Sequence, residues 1–319
     1  MRITMVTPAP RGSRAGNRTT AVRWARILRS LGHRVDVSVD YEGGPADVLI
    51  ALHAWRSAEA VLRFRERLPG RPLIVALTGT DLYRFLHSDP KITLRSMDLA
   101  DRLVVLHKAA TNSVPKQFHE KVCVIMQSAE APRRSIAPTQ RNFNVCVIGH
   151  LRDEKDPLRA AYAVRDVPHE SRLRVVHLGK AHTEEWARAA REEMARNPRY
   201  HWRGEVPFWR VQETLLRSRL MVLSSRMEGG ANVISEALVS GVPVVASRIE
   251  GSVGLLGGEY PGYYPTADSA ALGEILLRAE QDSQFYALLM DACAARAPLF
   301  RPERERQAWY DLLTSLDQR

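Results

Sequence analysis

The sequence has 319 residues, of which 45 % are hydrophobic and 26 % charged. This composition excludes disordered and fibrous proteins, and the length suffices for two domains with separate cores. No apolar run reaches the ~20 residues that span a bilayer, and we find no secretory leader, so we expect a cytoplasmic protein without stable membrane insertion. The net charge of +10 comes from scattered residues, mostly arginine. That scatter favours a solvated arginine-rich surface over nucleic-acid binding.

The first part of the chain alternates apolar runs with helical periodicity. A helix is predicted over residues 20–31, because Val22, Ile27, Leu28 and Leu31 keep helical spacing and Gly32 follows. The apolar runs are typical of buried parallel strands, so the alternation predicts an α/β doubly wound sheet with sites at its carboxyl edge. The predicted strands are residues 3–6, 35–39, 48–52, 73–77, 103–106 and 122–125.

A second series of strands follows an aperiodic stretch with two prolines, residues 131–144. We predict an N-terminal domain at 1–135 and a C-terminal domain at 142–301. The last helix, 302–319, carries Trp309, Leu312 and Leu313 on one side, and we expect it to pack back on the first domain. Two Rossmann-like domains would face a cleft. The second series of strands comprises residues 145–148, 174–178, 220–223 and 242–247.

The most informative segment is SSRMEGGANVISEAL at residues 224–238. A glycine turn follows a strand there and leads into a helix near Ala231. Such a turn lets backbone approach a ligand, and the helix N-terminus attracts anions. Glu228 on the turn and Glu236 on the helix suit a polyhydroxylated ligand, because carboxylates accept hydroxyl hydrogens. Either glutamate alone could be an ordinary surface residue, but the whole run indicates a site.

The spacing of Glu228 and Glu236, followed by GVPVVAS at 241–247, resembles the E-x7-E signature of retaining GT-B glycosyltransferases of family 4. The resemblance implies that Glu228 contacts sugar hydroxyls and Glu236 the ribose of a nucleotide sugar. Amides near Gly230 would meet the diphosphate. The donor-binding residues implied for this segment are Arg226, Gly229, Gly230, Ala231, Asn232, Val233 and Glu236.

The segment VIGHLRDEKDP at 147–157 is similar to the G-R-L-x-x-x-K element of the same family, whose cations neutralise the leaving diphosphate. Gly149 and Lys155 match that element. His150 stands at the position of the arginine, so we expect Arg152 to compensate, since arginine stays charged and grips phosphate through two hydrogen bonds. Val206 lies in the stretch beside the nucleobase in this family, or else in a plain strand-to-helix turn.

The N-terminal half should bind the acceptor. The loop between the first strand and the first helix carries three arginines, which would bind a phosphate-like anion unless the loop is simply basic and flexible. His53 follows a strand and could be a base or a structural histidine. Thr78, Thr80 and Asp81 follow the next strand and could bind the acceptor, or Thr80 and Asp81 could start a helix. The predicted acceptor-binding residues are Arg11, Arg14, Asn17, Arg18, Thr19, Thr78 and Thr80.

The segments TPAPRGSRAGNR, ALHAWRSA and ALTGTDLYR, together with the donor motif, most closely resemble the selenosugar synthases of bacterial selenoneine biosynthesis. The resemblance implies transfer of N-acetylglucosamine or glucose from UDP-GlcNAc or UDP-glucose to the selenium of selenophosphate, with UDP and phosphate released. Lys155, Arg152, Glu228 and His53 would be the catalytic residues. Since no D-x-D motif is present, we expect neither a metal nor another cofactor.

Two alternatives stay open at this point. The first is an ordinary family 4 glycosyltransferase that acts on a hydroxyl acceptor. The second is a protein without catalysis that binds a nucleotide sugar, or that binds nucleic acid through its positive charge.

Overall fold

The computed structural model describes residues 1–13, 15–132 and 136–317. It contains two six-stranded sheets in which every strand pair is parallel. The first sheet is built from β1 (Arg2–Val6), β2 (Arg34–Ser38), β3 (Val48–Leu52), β4 (Leu73–Leu77), β5 (Arg102–Val105) and β6 (Val122–Val124). The second is built from β7 (Phe143–Ile148), β8 (Leu173–Leu178), β9 (Tyr200–Trp202), β10 (Leu220–Leu223), β11 (Val244–Ser247) and β12 (Tyr263–Tyr264).

Helices connect the strands, as parallel pairing requires. They are α1 (Gly16–Ser30), α2 (Ala58–Arg67), α3 (Leu86–Ser88), α4 (Pro90–Leu99), α5 (Arg159–Ala163), α6 (Glu184–Arg196), α7 (Phe208–Leu216), α8 (Asn232–Val239), α9 (Glu250–Leu256), α10 (Ser269–Gln281), α11 (Ser283–Arg296) and α12 (Pro302–Asp317). A single π-helical turn covers Asp81–Phe85, and short 3-10 turns cover Lys108–Ser113, Lys116–Lys121, Asp153–Lys155 and Ala297–Phe300. None of the helices in the described part of the chain combines the length and the apolar character that crossing a membrane requires.

The chain divides into two compact units. The first comprises Met1–Ser128, Glu228–Asn232 and Pro302–Arg319, and the second comprises Ala129–Met227 and Val233–Arg301. The short segment at 228–232 therefore groups with the first unit, although its neighbours in sequence belong to the second. The predicted donor turn, from Glu228 to Asn232, is therefore described together with the residues of the first unit.

The first unit buries its sheet on both faces, which explains why β3 and β4 are apolar at every position. One core cluster centres on Phe64 of α2. The other centres on Trp24 of α1 and Trp309 of α12, whose ring centroids lie 4.9 Å apart in an edge-on arrangement. The apolar side of α12 thus covers the same face of the sheet as α1.

The order of strands reverses once in each sheet. The first runs β2-β1-β3-β4-β5-β6, and the second runs β12-β11-β10-β7-β8-β9. The reversals fall between β1 and β3 and between β7 and β10. Loops leave the sheet in opposite directions at such a point and open a crevice at its carboxyl edge, where doubly wound proteins bind ligands.

The predicted α/β class with two Rossmann-like sheets is confirmed. Two details differ. The edge strands β9 and β12 have three and two residues, too few to give a readable pattern. Helix α1 begins at Gly16 rather than at residue 20, because the amides of Arg18 and Thr19 already donate to the carbonyl of Ala15. Asn17, Arg18 and Thr19 therefore lie in a helical turn and not in a loop.

Candidate functional site

A small cavity lies at the reversal point of the second sheet, between the carboxyl ends of β7 and β10. Two of the sequence motifs meet in its wall, because β7 leads into the first and β10 into the second. The lining residues are Val147, Ile148, Gly149, His150, Lys155, Pro157, His177, Val222, Leu223, Ser224 and Ser225.

Two hydrogen bonds join the segment after β7 to the segment after β10. The hydroxyl of Ser224 donates to the carbonyl of Lys155 (3.0 Å), and the amide of Arg226 donates to the carbonyl of Glu154 (2.8 Å). Lys155 ends a 3-10 turn and is followed by Asp156 in the left-handed region (φ 43°). The backbone at Lys155 is thereby fixed against the segment that follows β10.

Arg152 precedes the same turn, and its Nε lies 3.8 Å from a carboxylate oxygen of Glu154. The side chain of Arg152 is 37 % exposed and that of Arg226 is 56 % exposed, so both guanidinium groups reach solvent. Arg226 Nη2 lies 3.9 Å from Asp156 Oδ1. Together with Lys155, these arginines make the carboxyl edge of the second sheet a place where an anionic group would be stabilised.

His150 does not act as a fixed cation. Burial lowers its pKa, and the nearby His182, whose ring centroid lies 5.3 Å away, lowers it further. The ring is therefore neutral at neutral pH. Its Nδ1 accepts a hydrogen bond from the amide of Lys180 (3.1 Å), so the proton sits on Nε2. At this position the chain offers a neutral donor where the resembling family has an arginine.

His177 on β8 is a site residue that the sequence did not single out. Its Nε2 donates to the carbonyl of Gly149 (3.0 Å), and its Nδ1 accepts from the hydroxyl of Tyr200 (3.0 Å). Burial lowers the pKa of His177 to about 4, so the ring is neutral. Gly179 packs on the same loop, since a Cβ there would lie 1.9 Å from the oxygen of Gly149. The signal in the sequence that could have indicated His177 was a histidine inside a strand predicted to be buried.

The predicted donor turn packs closely against backbone and side-chain atoms of the first unit. A Cβ on Gly229 would lie 2.4 Å from the carbonyl of Thr78 and 2.5 Å from the amide of Gly79. A Cβ on Gly230 would lie 2.6 Å from Cβ of Leu106. Thr78 and Gly229, which the sequence assigned to the acceptor and to the donor respectively, are thus direct neighbours.

Helix α8 begins at Asn232, immediately after this turn. Glu228, Val233 and Glu236 are half-buried, whereas Ala231 is buried. Val206 is also half-buried and lies between β9 and α7, in a loop whose Gly204 adopts φ +67°.

His53 lies at the reversal point of the first sheet, just after β3, in the left-handed region (φ 79°). Its Nε2 bonds Thr80 Oγ1 (2.8 Å), and its Nδ1 accepts from the amide of Arg56 (3.2 Å). Burial lowers the pKa of His53, while the charge of Asp81 opposes that effect. A buried neutral ring with both nitrogens bonded is placed to orient Thr80.

Asp81, which the sequence offered as an acceptor residue or a helix start, has hydrogen-bond partners that the sequence did not reveal. Its side chain is fully buried and accepts four backbone amides, so it ties together the loops that follow β3 and β4. This network sets the backbone of Thr78 and Gly79, against which the donor turn rests. The donors are Ala54 (3.0 Å), Thr78 (3.1 Å), Gly79 (2.7 Å) and Leu82 (3.0 Å).

The first loop and the start of α1 carry the remaining predicted acceptor residues. Arg11 and Thr19 are exposed, and Asn17 and Arg18 are half-buried. Arg14 lies outside the described residues. At the end of β1, the buried hydroxyl of Thr7 has no hydrogen-bond partner within the described part of the chain. Likewise, residues 1–13, 15–132 and 136–317 contain no group of three or more His, Cys, Asp or Glu that could hold a metal.

The two doubly wound sheets define the class of the protein. Solved structures with the same GT-B fold include HepE of Anabaena in complex with UDP, at 16 % identity, a TM-score of 0.78 and coverage of 99 % of this chain and 100 % of that one. Sucrose-phosphate synthase of Thermosynechococcus elongatus matches at 14 % identity, a TM-score of 0.80 and coverage of 100 % and 99 %. A glycosyltransferase of Rickettsia africae matches at 12 % identity, a TM-score of 0.73 and coverage of 99 % and 98 %.

Sequence comparison then gives the family. Residues 128–292, about half of the chain, match the family model of glycosyl transferases group 1, and the protein belongs to that family. No curated protein matched the chain. The matched range includes both motifs that line the cavity of the second sheet.

Proposed function

We propose that the protein transfers N-acetylglucosamine or glucose from a UDP-sugar to the selenium of selenophosphate. A C–Se bond forms, and UDP and phosphate are released. One observation carries the donor half of the proposal, namely the two hydrogen bonds that join the Lys155 segment to the Ser224–Arg226 segment. They bring the two donor motifs, far apart in sequence, to one edge of one sheet in a group 1 glycosyltransferase.

In the proposed reaction the selenium attacks the anomeric carbon of the sugar. The bond from that carbon to the diphosphate oxygen breaks, and its electron pair stays with UDP. Lys155, Arg152 and the first amides of α8 would stabilise the negative charge that develops on the diphosphate. Glu228 would hold sugar hydroxyls, Glu236 the ribose, and the backbone near Val206 the uracil.

The first product carries selenium between sugar and phosphate. Water would then add to phosphorus and break the P–Se bond, which releases phosphate and leaves the selenosugar. The selenium of selenophosphate is already anionic and nucleophilic, so the transfer step requires no strong base. This agrees with the bonding of His53, whose two ring nitrogens are engaged with Thr80 and Arg56.

The acceptor half of the proposal is supported by the resemblance to selenosugar synthases and by the basic residues before and within the first turn of α1. Arg11 is exposed and Arg18 half-buried, so both side chains can meet a small anion from solvent. HepE has been solved with UDP-glucose, and the donor class proposed for the present chain is the same. The resemblance to retaining family 4 enzymes extends the proposal to retention of anomeric configuration.

The deciding experiment mixes the enzyme with UDP-N-acetylglucosamine or UDP-glucose and selenophosphate. We expect UDP release together with a selenium-bearing sugar of the corresponding mass. The coupling constant of its anomeric proton tests retention. UDP release with a hydroxyl acceptor, but none with selenophosphate, would replace the selenium assignment by ordinary glycosyl transfer.

A metal-independent reaction is part of the same proposal, since protein cations would neutralise the leaving group. Activity should persist in excess EDTA. Strict dependence on an added divalent cation would contradict the role given to Lys155 and Arg152. For Lys155→Met we expect kcat to fall by about 100-fold, the order of loss when one preorganised electrostatic partner of a developing charge is removed.

Substitutions separate the two halves of the site. Glu236→Ala should raise KM for the UDP-sugar and leave KM for selenophosphate nearly unchanged. Arg18→Ala should have the opposite effect. Equal KM values for selenophosphate in wild type and in both Arg11→Ala and Arg18→Ala would remove these arginines from the acceptor site.

A further inference from the structure

Glu305 on α12 is a buried carboxylate far from either motif in sequence. Its side chain is fully buried and accepts hydrogen bonds from three residues of the first unit. Trp24 Nε1 donates at 2.6 Å, and Arg23 Nε donates to both carboxylate oxygens at 3.3 and 3.1 Å. The amide and hydroxyl of Ser128 donate at 3.0 and 2.5 Å. A buried charge needs this degree of pairing to be tolerated.

Arg23 links this carboxylate to the predicted donor turn. While Nε bonds Glu305, Nη1 donates to the side-chain oxygen of Asn232 at 2.8 Å. The Arg23 side chain is only 18 % exposed, so the bridge is shielded from solvent. The planar guanidinium holds its donors in a fixed fork, and one arginine can therefore fix the direction from Glu305 to Asn232.

Gln127 closes the network. The orientation of its side-chain amide follows from the hydrogen-bonding groups around it. The nitrogen donates to the carbonyl of Gly230 (2.8 Å) and to Asn232 Oδ1 (3.1 Å), and the oxygen accepts from Thr20 Oγ1 (2.6 Å) and Arg23 Nη2 (3.2 Å). The donor turn is thus held through both a backbone carbonyl and the side chain of Asn232.

The ion pair between Arg23 and Glu305 also affects the electrostatics at the start of α8. Asn232 is the first residue of α8, and a cation beside a helix N-terminus is unfavourable because the helix dipole is positive there. Because the charge of Glu305 offsets that of Arg23, the guanidinium can hold the turn beside the helix N-terminus without this electrostatic cost. The backbone amides of the turn still attract an anion.

We propose that Glu305 and Arg23 are positioning residues for donor binding, and that they act through Asn232 on the turn from Glu228 to Asn232. This inference rests on the proposed function, since it takes UDP as the ligand that the turn meets. Neither residue is assigned a contact with substrate. Their effect is to fix where the amides of the turn and the carboxylate of Glu228 stand.

The test measures UDP binding by calorimetry alongside thermal stability. Arg23→Lys is the informative variant, because lysine retains the charge beside Glu305 but cannot bridge to Asn232. We expect UDP affinity to fall about tenfold, the effect of losing one orienting hydrogen bond, with a small change in Tm. Glu305→Gln should weaken UDP binding similarly and also lower Tm.

The second unit offers a matched control. Glu193 on α6 is likewise fully buried and accepts from Arg165 Nε (2.8 Å), Arg196 Nε (2.9 Å) and Asn197 Nδ2 (3.0 Å). Glu193→Gln should lower Tm as Glu305→Gln does, with UDP affinity unchanged. This control separates a positioning role from general loss of stability.

A double-mutant cycle completes the design. If Arg23 acts through Asn232, then Asn232→Ala should weaken UDP binding in wild type and add little in the Arg23→Lys background. Additive effects would overturn the coupling, as would wild-type affinity in Arg23→Lys or an equal loss in Glu193→Gln. If the wild-type enzyme binds no UDP, the donor half of the proposed function fails and the positioning role falls with it.

Discussion

Replacement of Gly229 by alanine tests whether the donor turn needs direct backbone contact with the loop after β4. A Cβ at Gly229 would stand 2.4 Å from the carbonyl carbon and oxygen of Thr78 and 2.5 Å from the nitrogen of Gly79. Because these are backbone atoms, no change of rotamer relieves the clash. A tolerable separation of 3.0 Å requires one of the two segments to move by at least 0.6 Å.

Forcing an extra methyl group into a closely packed site costs about 1–3 kcal/mol. Displacement of a substrate-positioning group on the order of 1 Å can cost about 100-fold in rate. For Gly229→Ala we therefore expect a loss of about 2 kcal/mol in stability and a fall in kcat/KM for the UDP-sugar of about 10- to 100-fold. Urea denaturation and UDP release measure the two effects.

Gly44→Ala is the matched control in the same unit, because a Cβ at Gly44 meets no atom within 4 Å. It reports the ordinary change in backbone entropy, about 0.4–1 kcal/mol in favour of the folded state. Gly229→Ala with the stability and donor kinetics of Gly44→Ala would refute the argument from close contact.

Two further predictions concern two buried polar side chains, those of Asp81 and His177. For Asp81→Asn, whose amide nitrogen cannot accept the backbone amides, we expect a loss of about 3 kcal/mol by urea denaturation, and an unchanged midpoint would contradict this. The pKa of His177 is about 4 in the folded chain against an ordinary 6.5, so its contribution to stability is complete above pH 6.5 and is lost as pH falls to 4. Over that window wild type should lose about 3 kcal/mol relative to His177→Gln, and equal pH slopes would refute the assignment.

Much of the fold could be predicted, because a parallel strand that is buried on both faces appears in the sequence as a local run of apolar residues. The strands β3, β4 and β10 have the bounds that the sequence predicts, residues 48–52, 73–77 and 220–223. The same locality reveals the turn and helix around Glu228 and Glu236, since a strand, a glycine turn and a helix start follow one another directly.

Tertiary structure alone decided which charged residues are buried and what they hold. Asp81 follows a predicted strand, where it could bind the acceptor or start a helix, and Glu305 is one charge among several on a terminal helix. Their roles depend on partners brought by the fold, and Glu305 meets Arg23 across 282 positions of the chain. Sequence patterns report burial of apolar residues, whereas the partners of a buried charge are fixed only when distant segments come together.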